Sequence, residues 1–254
     1  MLIDGKQMHL QCAKGDVGKY VILPGDPGRC EKIAAYLDNP RHISQNREFN
    51  IYTGALCGVP VSVCSTGIGG PSAAIALEEL VECGADTFIR VGTSGGIADK
   101  VKGGDIVIAT ASVRAEGTGR EYMPVEFPAA AHFDVTLALR DAAQELGLRY
   151  HVGVIQSKDS FYGEIRPEKM PVAPDLLAKW QAWKAAGVLT SEMETAALFI
   201  VSSVLGVRCG AVLNVLWNAD NDAAPTIPPD AAERGIRTAI GALRLLIARD
   251  GSPE

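Results

Sequence analysis

Short β-branched runs alternate along the chain with stretches of helical periodicity. Tyr20–Leu23, Pro60–Ser65, Thr87–Val91, Asp105–Thr110, His151–Gln156 and Arg208–Leu216 are predicted strands. Helices are predicted over Pro71–Cys83, Asp134–Leu146, Pro174–Ala186, Glu192–Leu205 and Asp230–Ala248. The first opens with a proline at its first helical position and keeps Ile75 and Leu80 at helical spacing. Such alternation signals an α/β fold. The step Cys57-Gly58-Val59, between two β-like runs, predicts a hairpin, so the sheet should be mixed rather than wholly parallel. Arg114–Phe127, Tyr162–Ala173 and the polar, proline-rich Asn218–Asp230 are long for simple connections and are therefore candidate site loops.

Composition narrows the class. The chain has 254 residues, 47% hydrophobic and 21% charged, with a net charge of −6, and its mean hydropathy is +0.11. These values suit one globular domain over 1–254, since no composition break divides it. Six scattered cysteines without a CxxC pair, beside only four histidines, argue against structural zinc and a disulfide framework. Several lie in apolar runs and read as small buried hydrophobes of a reducing cytosol. Met1–Lys14 lacks the basic flank and apolar core of a leader, and no stretch approaches the ~20 apolar residues of a membrane span. The expectation is a soluble cytoplasmic protein. A pI near 5.3 disfavours a nucleic-acid binder, which needs a basic face. Small-molecule chemistry is the better expectation.

Four segments could carry that chemistry. Leu23-Pro24-Gly25-Asp26-Pro27-Gly28-Arg29 leaves an apolar strand in a glycine-rich turn, whose amides and guanidinium suit an oxyanion. Taken alone, it reads better as a tight strand-to-helix turn with Arg29 in solvent. Cys64-Ser65-Thr66-Gly67-Ile68-Gly69-Gly70-Pro71-Ser72 superficially suggests a dinucleotide fold. GxGxxG would need glycine at Ser72, and no clear ribose-binding acid follows a later strand, which demotes that reading. Arg90 stands inside an apolar strand, in Phe88-Ile89-Arg90-Val91-Gly92-Thr93-Ser94-Gly95-Gly96, and must be paired or face a site. A structural ion pair is as good an account of it, although the adjacent hydroxyls and amides suit phosphate oxygens. Thr190-Ser191-Glu192-Met193-Glu194-Thr195 brings two acids into an apolar helix. They would share a face only if the lead-in were extended. Complementing the helix dipole is the simpler role, and accepting both ribose hydroxyls is the functional one.

Together, the order and wording of these segments resemble the nucleoside phosphorylase family, which contains the purine and uridine enzymes, and most closely its uridine-cleaving branch. The matching segments are Met8-His9-Leu10, Pro24-Gly25-Asp26-Pro27 through Arg29, Asn46-Arg47-Glu48-Phe49, the STGIGGPS run ending at Ser72, Ile89 through Thr93, Asp159-Ser160-Phe161-Tyr162 and Glu192-Met193-Glu194. The resemblance implies a three-layer α/β/α fold with a central mixed sheet. It implies reversible phosphorolysis, most closely of uridine to uracil and ribose 1-phosphate, with phosphate as co-substrate and no organic cofactor. By position, Gly25, Arg29, Arg47, Arg90 and Thr93 would bind phosphate, with Arg47 reaching in from a neighbouring subunit. His9, also from across a dimer interface, would join Met193 and Glu194 on the ribose, Arg90 and Glu194 being the catalytic pair. Ser94, Gly95, Phe161, Glu164, Arg166 and Glu192 would surround the base. The implied assembly is a homohexamer built as a trimer of dimers, with K+ at the dimer interface near Glu48, Ile68 and Ser72. Nucleic acid and membrane are not expected partners.

The base pocket departs from the pattern. With a one-residue gap, Glu164 falls where the pyrimidine branch carries glutamine, and Arg166 falls on an arginine position. An ionised glutamate accepts from a base N–H but cannot donate to a carbonyl. Ala219 replaces another expected arginine, and Glu164 is equally readable as a solvent-facing loop acid. Asn214–Asp220 lacks the serine-aspartate pair of the purine enzymes, consistent with uracil leaving as a delocalised anion. A purine-preferring phosphorylase is the alternative within the fold. A hydrolytic nucleosidase or a non-catalytic nucleoside binder has little reason to keep Arg29, Arg47 and Arg90 together. Alanine at Arg90 or Glu194 is expected to cut catalysis far more than stability.

Overall fold

The computed structural model describes residues 1–218 and 231–251. The chain opens with a short hairpin, β1 (Leu2–Ile3) and β2 (Lys6–Gln7), and then enters the sheet at β3 (Tyr20–Pro24). Next come α1 (Gly28–Ala34), β4 (Asp38–Asn46), β5 (Phe49–Leu56), β6 (Val59–Cys64), α2 (Gly70–Glu82) and β7 (Thr87–Gly96). The middle of the chain supplies β8 (Ile106–Ala115), α3 (Thr118–Tyr122), β9 (Ala129–Ala130), α4 (Phe133–Glu145) and β10 (Tyr150–Lys158). It continues through α5 (Phe161–Ile165), a 3₁₀ turn at Pro167–Lys169, α6 (Ala173–Ala185), β11 (Thr190–Glu192), α7 (Thr195–Leu205), β12 (Arg208–Trp217) and α8 (Ala231–Asp250). The candidate loops Arg114–Phe127 and Tyr162–Ala173 thus contain the short helices α3 and α5, while 219–230, with Ala219 and Asp220, lies outside the described residues.

One mixed sheet runs in the order β11-β10-β8-β12-β7-β3-β6-β5-β4, with β9 paired to β8. The hairpin expected at Cys57-Gly58 joins β5 to β6 in an antiparallel ladder, and both residues take left-handed backbone angles, φ 51° and 77°. β3 lies parallel between β6 and β7, whereas β12 lies parallel to β7 and antiparallel to β8. β11 pairs with both β10 and β7, which closes β7, β12, β8, β10 and β11 into a ring. That closure brings β11 and its glutamates against β7.

The period-two alternation of the strands divides the core between the two faces of the sheet. Val21 and Leu23 of β3, Phe88 of β7 and Leu213 of β12 face α2 and α7, where Leu77, Leu80, Leu198 and Phe199 are buried. Tyr20, Ile22, Ile89, Val91 and Val212 face the other way, onto α4 and α8, with Val135, Leu139, Ile236, Ile240 and Leu243. The result is the expected three-layer α/β/α arrangement. α7 is apolar all round because it is enclosed: every residue from Thr195 to Ser202 is buried. Five of the six cysteines are buried, and Cys57 of the hairpin is exposed. No helix among the described residues is long and apolar enough to cross a membrane.

Candidate active site

A cavity of about 870 Å³ opens where several strands of the sheet end. Turns after the carboxyl ends of parallel strands are the usual place for a ligand in α/β sheets. β3 delivers Gly25 and Arg29, the turn after β6 delivers Gly67 and Ile68, and the extended end of β7 delivers Arg90 and Gly92 through Gly95. β10 contributes Lys158, α5 contributes Phe161 and Glu164, and β11 with its following loop contributes Ser191 through Glu194. Glu48, in the β4–β5 connection, and Leu216 and Trp217 of β12 complete the rim. β7 was expected to end at Val91. Pairing with β12 and β11 carries it on to Gly96 and stretches Thr93, Ser94 and Gly95 along the cavity wall.

At the centre lies an ion-paired triad. Arg90 donates from Nε to Glu192 Oε2 at 2.8 Å and from Nη2 to Glu194 Oε2, with all three side chains at most 5% exposed. The extended lead-in expected for both acids stops at the first of them. Glu192 ends β11, whereas Met193 and Glu194 lie in a bend just before α7, with Glu194 at φ −131° and ψ −27°, and this bend lets both carboxylates reach one guanidinium. Helix α7 begins at Thr195 rather than at Glu192, the expected start, because β11 pairing holds Thr190–Glu192 extended. Arg90 Nη1 is buried with no hydrogen-bond partner among the described residues. A guanidinium with uncommitted N–H groups can serve as an anion receptor.

The two acids sit in different electrostatic settings. Burial pushes both carboxyls up. For Glu192 the Arg90 charge, the Ser157 hydroxyl at 2.5 Å and the amides of Thr195 and Glu194 outweigh burial and hold it below the ordinary glutamate value. For Glu194, burial together with the neighbouring Glu192 charge outweighs Arg90 and the Gly69 amide, and its carboxyl is raised. Arg90 itself is held firmly protonated, because its two acids overcome the burial that opposes its charge. Gly69 reaches Glu194 Oε1 at 2.6 Å through a left-handed turn of φ 94°, a conformation that requires glycine. Gly67, at φ 67°, leaves no room for a side chain beside Glu48: a Cβ would lie 2.6 Å from its Cγ.

Arg29 is half-buried and contacts Asp26 only loosely, at 3.9 Å. Burial, and more weakly Arg90, lower its pKa against the opposing pull of Asp26. Two cations directed at one cavity are a preformed setting for a dianion. On the opposite wall Lys158 Nζ donates to Glu164 Oε1 at 2.8 Å and to Ser191 Oγ at 2.5 Å. Ser191 Oγ also lies 2.7 Å from Glu164 Oε2. Glu164 therefore faces the cavity rather than solvent, with its side chain 12% exposed.

The cavity gathers Gly25, Arg29, Glu48, Ile68, Arg90, Thr93, Ser94, Gly95, Phe161, Glu164, Glu192, Met193 and Glu194. His9, Arg47, Ser72 and Arg166 do not line it. His9 Nδ1 meets Glu79 Oε1 at 2.7 Å, Arg47 is exposed in the β4–β5 turn, and Ser72 Oγ donates to Glu48 Oε1 at 2.7 Å. Arg166 lies over the Tyr162 ring, 4.7 Å from its centroid. Lys158, Ser157 and Ser191 escaped the sequence reading. The available signal was position: Ser157 and Lys158 close a strand immediately before the Asp159-Ser160-Phe161-Tyr162 segment, at the sheet edge where ligands bind.

Comparison with known proteins agrees with this geometry. A family model described as the phosphorylase superfamily matches residues 19–248. The uridine phosphorylase of Treponema pallidum (strain Nichols) is 52% identical over 246 residues, covering 96% of this chain and 95% of the relative. The uridine phosphorylase of Escherichia coli (strain K12) is 43% identical over 222 residues, covering 85% of this chain and 88% of the relative. A guanosine phosphorylase of Halorubrum lacusprofundi is 39% identical over 250 residues, covering 95% of this chain and 99% of the relative. With a match this long and the cavity built from the segments that suggested it, the chain belongs to the phosphorylase superfamily.

Proposed function

We propose that this chain catalyses reversible phosphorolysis of uridine, giving uracil and ribose 1-phosphate. The observation that carries the reading is the buried Arg90, paired to Glu192 and Glu194 while Nη1 remains free, with Arg29 directed at the same cavity. Phosphate binds between these guanidiniums and the backbone of Gly25 and Thr93, held as a nucleophile in a water-poor site. A phosphate oxygen forms the new bond at C1′ while the C1′–N1 bond breaks and its electron pair leaves with uracil, which then takes a proton from solvent. The sugar becomes oxocarbenium-like, and phosphate with the Glu194 carboxylate stabilises that positive charge. Glu194 also accepts from the ribose hydroxyls, beside Met193. The names of the relatives at 43–52% identity support uridine as substrate.

His9 and Arg47 stand outside the cavity of their own chain, which supports a second copy supplying them to the ribose and the phosphate. The wider assembly is then a hexamer of three such dimers. Glu48 carboxylate, Ser72 hydroxyl and the Ile68 backbone oxygen are hard donors that suit a monovalent cation at that interface. Release of free base from uridine, thymidine, inosine, guanosine and adenosine, each with and without inorganic phosphate, tests the reading. Phosphate-dependent uracil release is expected. Phosphate-dependent guanine or hypoxanthine release would instead favour the purine alternative, to which the guanosine phosphorylase relative and the cavity carboxylate of Glu164 lend support. Release without phosphate would refute phosphorolysis.

A further inference from the structure

We propose that Lys158 is a specificity-determining residue that, with Glu164, reads a lactam edge of the base, an N–H beside a carbonyl; the inference rests on the phosphorolysis reading above. An ionised glutamate at position 164 accepts but cannot donate, so by itself it does half the work of a carboxamide. The structure sets a donor beside it. Lys158, the last residue of β10, is 10% exposed at its side chain and holds Nζ 2.8 Å from Glu164 Oε1. Its second contact is Ser191 Oγ at 2.5 Å, and Ser191 in turn reaches Gln156 Oε1 at 2.5 Å and Glu164 Oε2 at 2.7 Å. Lys158, Glu164 and Ser191 all line the cavity.

The hydrogen-bond capacities leave something over. An ammonium has three N–H groups, of which these contacts use two, and the carboxylate of Glu164 has lone pairs beyond those engaged by Lys158 and Ser191. A spare donor and a spare acceptor therefore stand one ion-pair distance apart on the cavity wall. Uracil offers N3–H beside C4=O, and hypoxanthine and guanine offer N1–H beside C6=O, which are complementary to that pair. Cytosine and adenine present a ring-nitrogen acceptor beside an amino group, the reverse polarity. They would set a lone pair against Glu164 and an N–H against Lys158. A site built to hydrogen-bond rejects such mismatches strongly, because its buried polar groups are left unpaired.

Lys158 has a second consequence. As the glycosidic bond breaks, negative charge spreads onto the carbonyl oxygens of the base, and an ammonium facing one of them stabilises the leaving group in the transition state. No proton needs to be transferred, so the absence of an acid in Asn214–Asn218 is consistent with turnover.

The test uses the full-length protein and four forms: wild type, Lys158→Met, Glu164→Gln and the double variant. Phosphorolysis of uridine and cytidine at saturating phosphate is followed, together with calorimetric binding of free uracil and cytosine. Lys158→Met is expected to lower kcat/KM for uridine about 30–100-fold, with the KM for phosphate unchanged, and to narrow the uridine-to-cytidine preference. The double variant is expected to return to within about tenfold of wild type, because a carboxamide at 164 supplies donor and acceptor together. A merely structural Lys158–Glu164 bridge would also be rescued by Glu164→Gln, which removes the stranded carboxylate, but it would leave the uridine-to-cytidine preference unchanged, so the selectivity change carries the distinction. The inference is overturned if Lys158→Met keeps uridine turnover within about threefold of wild type, or if the double variant is no better than Lys158→Met. Should wild type show no phosphate-dependent release, the phosphorolysis reading fails. The binding arm then decides the lactam reading by itself: wild type preferring uracil and Lys158→Met losing that preference supports it, and equal binding of both bases refutes it.

Discussion

Glu192→Gln is nearly isosteric and removes one charge from the centre of the molecule. Glu192 accepts from a crowd of donors: Arg90 Nε at 2.8 Å, Ser157 Oγ at 2.5 Å, the Glu194 amide at 3.0 Å and the Thr195 amide at 2.9 Å. A carboxamide presents one oxygen, so either the Ser157 side or the Arg90 side must face an NH₂ group. Losing one partner of a buried ion pair costs about 3–5 kcal/mol, and a buried donor left without an acceptor costs about 1–3 kcal/mol when counted alone. Because these contributions overlap, the expected loss is about 3–5 kcal/mol, a large fraction of the ~5–15 kcal/mol that holds a folded domain. For a chain of this size that corresponds to a fall in Tm of about 6–10 °C.

Glu194→Gln is the internal control. Among the described residues its carboxylate accepts from Gly69 N and Arg90 Nη2, and its raised pKa means that a neutral group is tolerated there more readily. Its expected cost is below about 2 kcal/mol. Urea unfolding followed by far-UV circular dichroism at one fixed protein concentration compares the two, since any subunit association would make stability concentration-dependent. If Glu192→Gln lies within about 1 kcal/mol of wild type, or loses no more than Glu194→Gln, the assignment of Glu192 as the structural partner of Arg90 is wrong.

Three further outcomes are expected. Turnover by Glu194→Gln should fall about 100-fold while its fold persists. In wild type, kcat/KM should decline on the acid side with a midpoint above the ordinary 4.5, a limb missing from the variant's pH profile. The stability contribution of Glu194 has the opposite sense: a raised folded pKa favours the folded state below 4.5, and that contribution is lost as pH rises through the raised value. Arg29→Met should raise the KM for phosphate about 10–100-fold with a smaller effect on the KM for nucleoside, measured by varying each substrate at saturation of the other. Asp250→Asn should cost about 1–1.5 kcal/mol at neutral pH, after allowance for the partly exposed position of its carboxyl. Hydrogen bonding from Arg208, opposed by burial and aided by the Tyr20 hydroxyl, draws Asp250 down from 3.8 to about 2. That contribution is complete above pH 3.8 and disappears as pH falls through about 2, so the variant and wild type should converge in acid.

Apart from α6, which was predicted over Pro174–Ala186 although none of its residues is buried, the legible part of the fold was the part whose burial imposes a period. β3, β6, β7, β8, β10 and β12 are buried strands written in β-branched and apolar residues, and α2, α4, α7 and α8 carry an apolar face or are wholly enclosed. β4 left no such trace. Asp38–Asn46 is a polar edge strand whose first five residues are exposed, and it exists because β5 offers it a ladder. β11 is three residues long, too short for any period, and its extended form is imposed by β10 on one side and β7 on the other. Long-range pairing of that kind cannot be read from local wording.

The same division runs through the site, and it revises the expected behaviour of Arg90. From sequence, a strand arginine could be a structural ion pair or a ligand-facing group, and the adjacent hydroxyls and amides tipped the balance towards a site. Geometry shows the ion pair and leaves one group over: Nε and Nη2 are committed to Glu192 and Glu194, and Nη1 has no partner among the described residues. Alanine at Arg90 would therefore strand two buried carboxylates as well as remove the proposed phosphate contact, so a loss of activity there cannot be separated from a loss of stability. Glu194, raised in pKa and lightly bonded, is the triad member whose removal isolates the chemistry. Glu192 is the member whose removal isolates the fold. Sequence pattern placed both acids beside the helix start, but only the closure of the sheet through β11 brings both carboxylates onto Arg90 and sets Glu192 among more donors than Glu194.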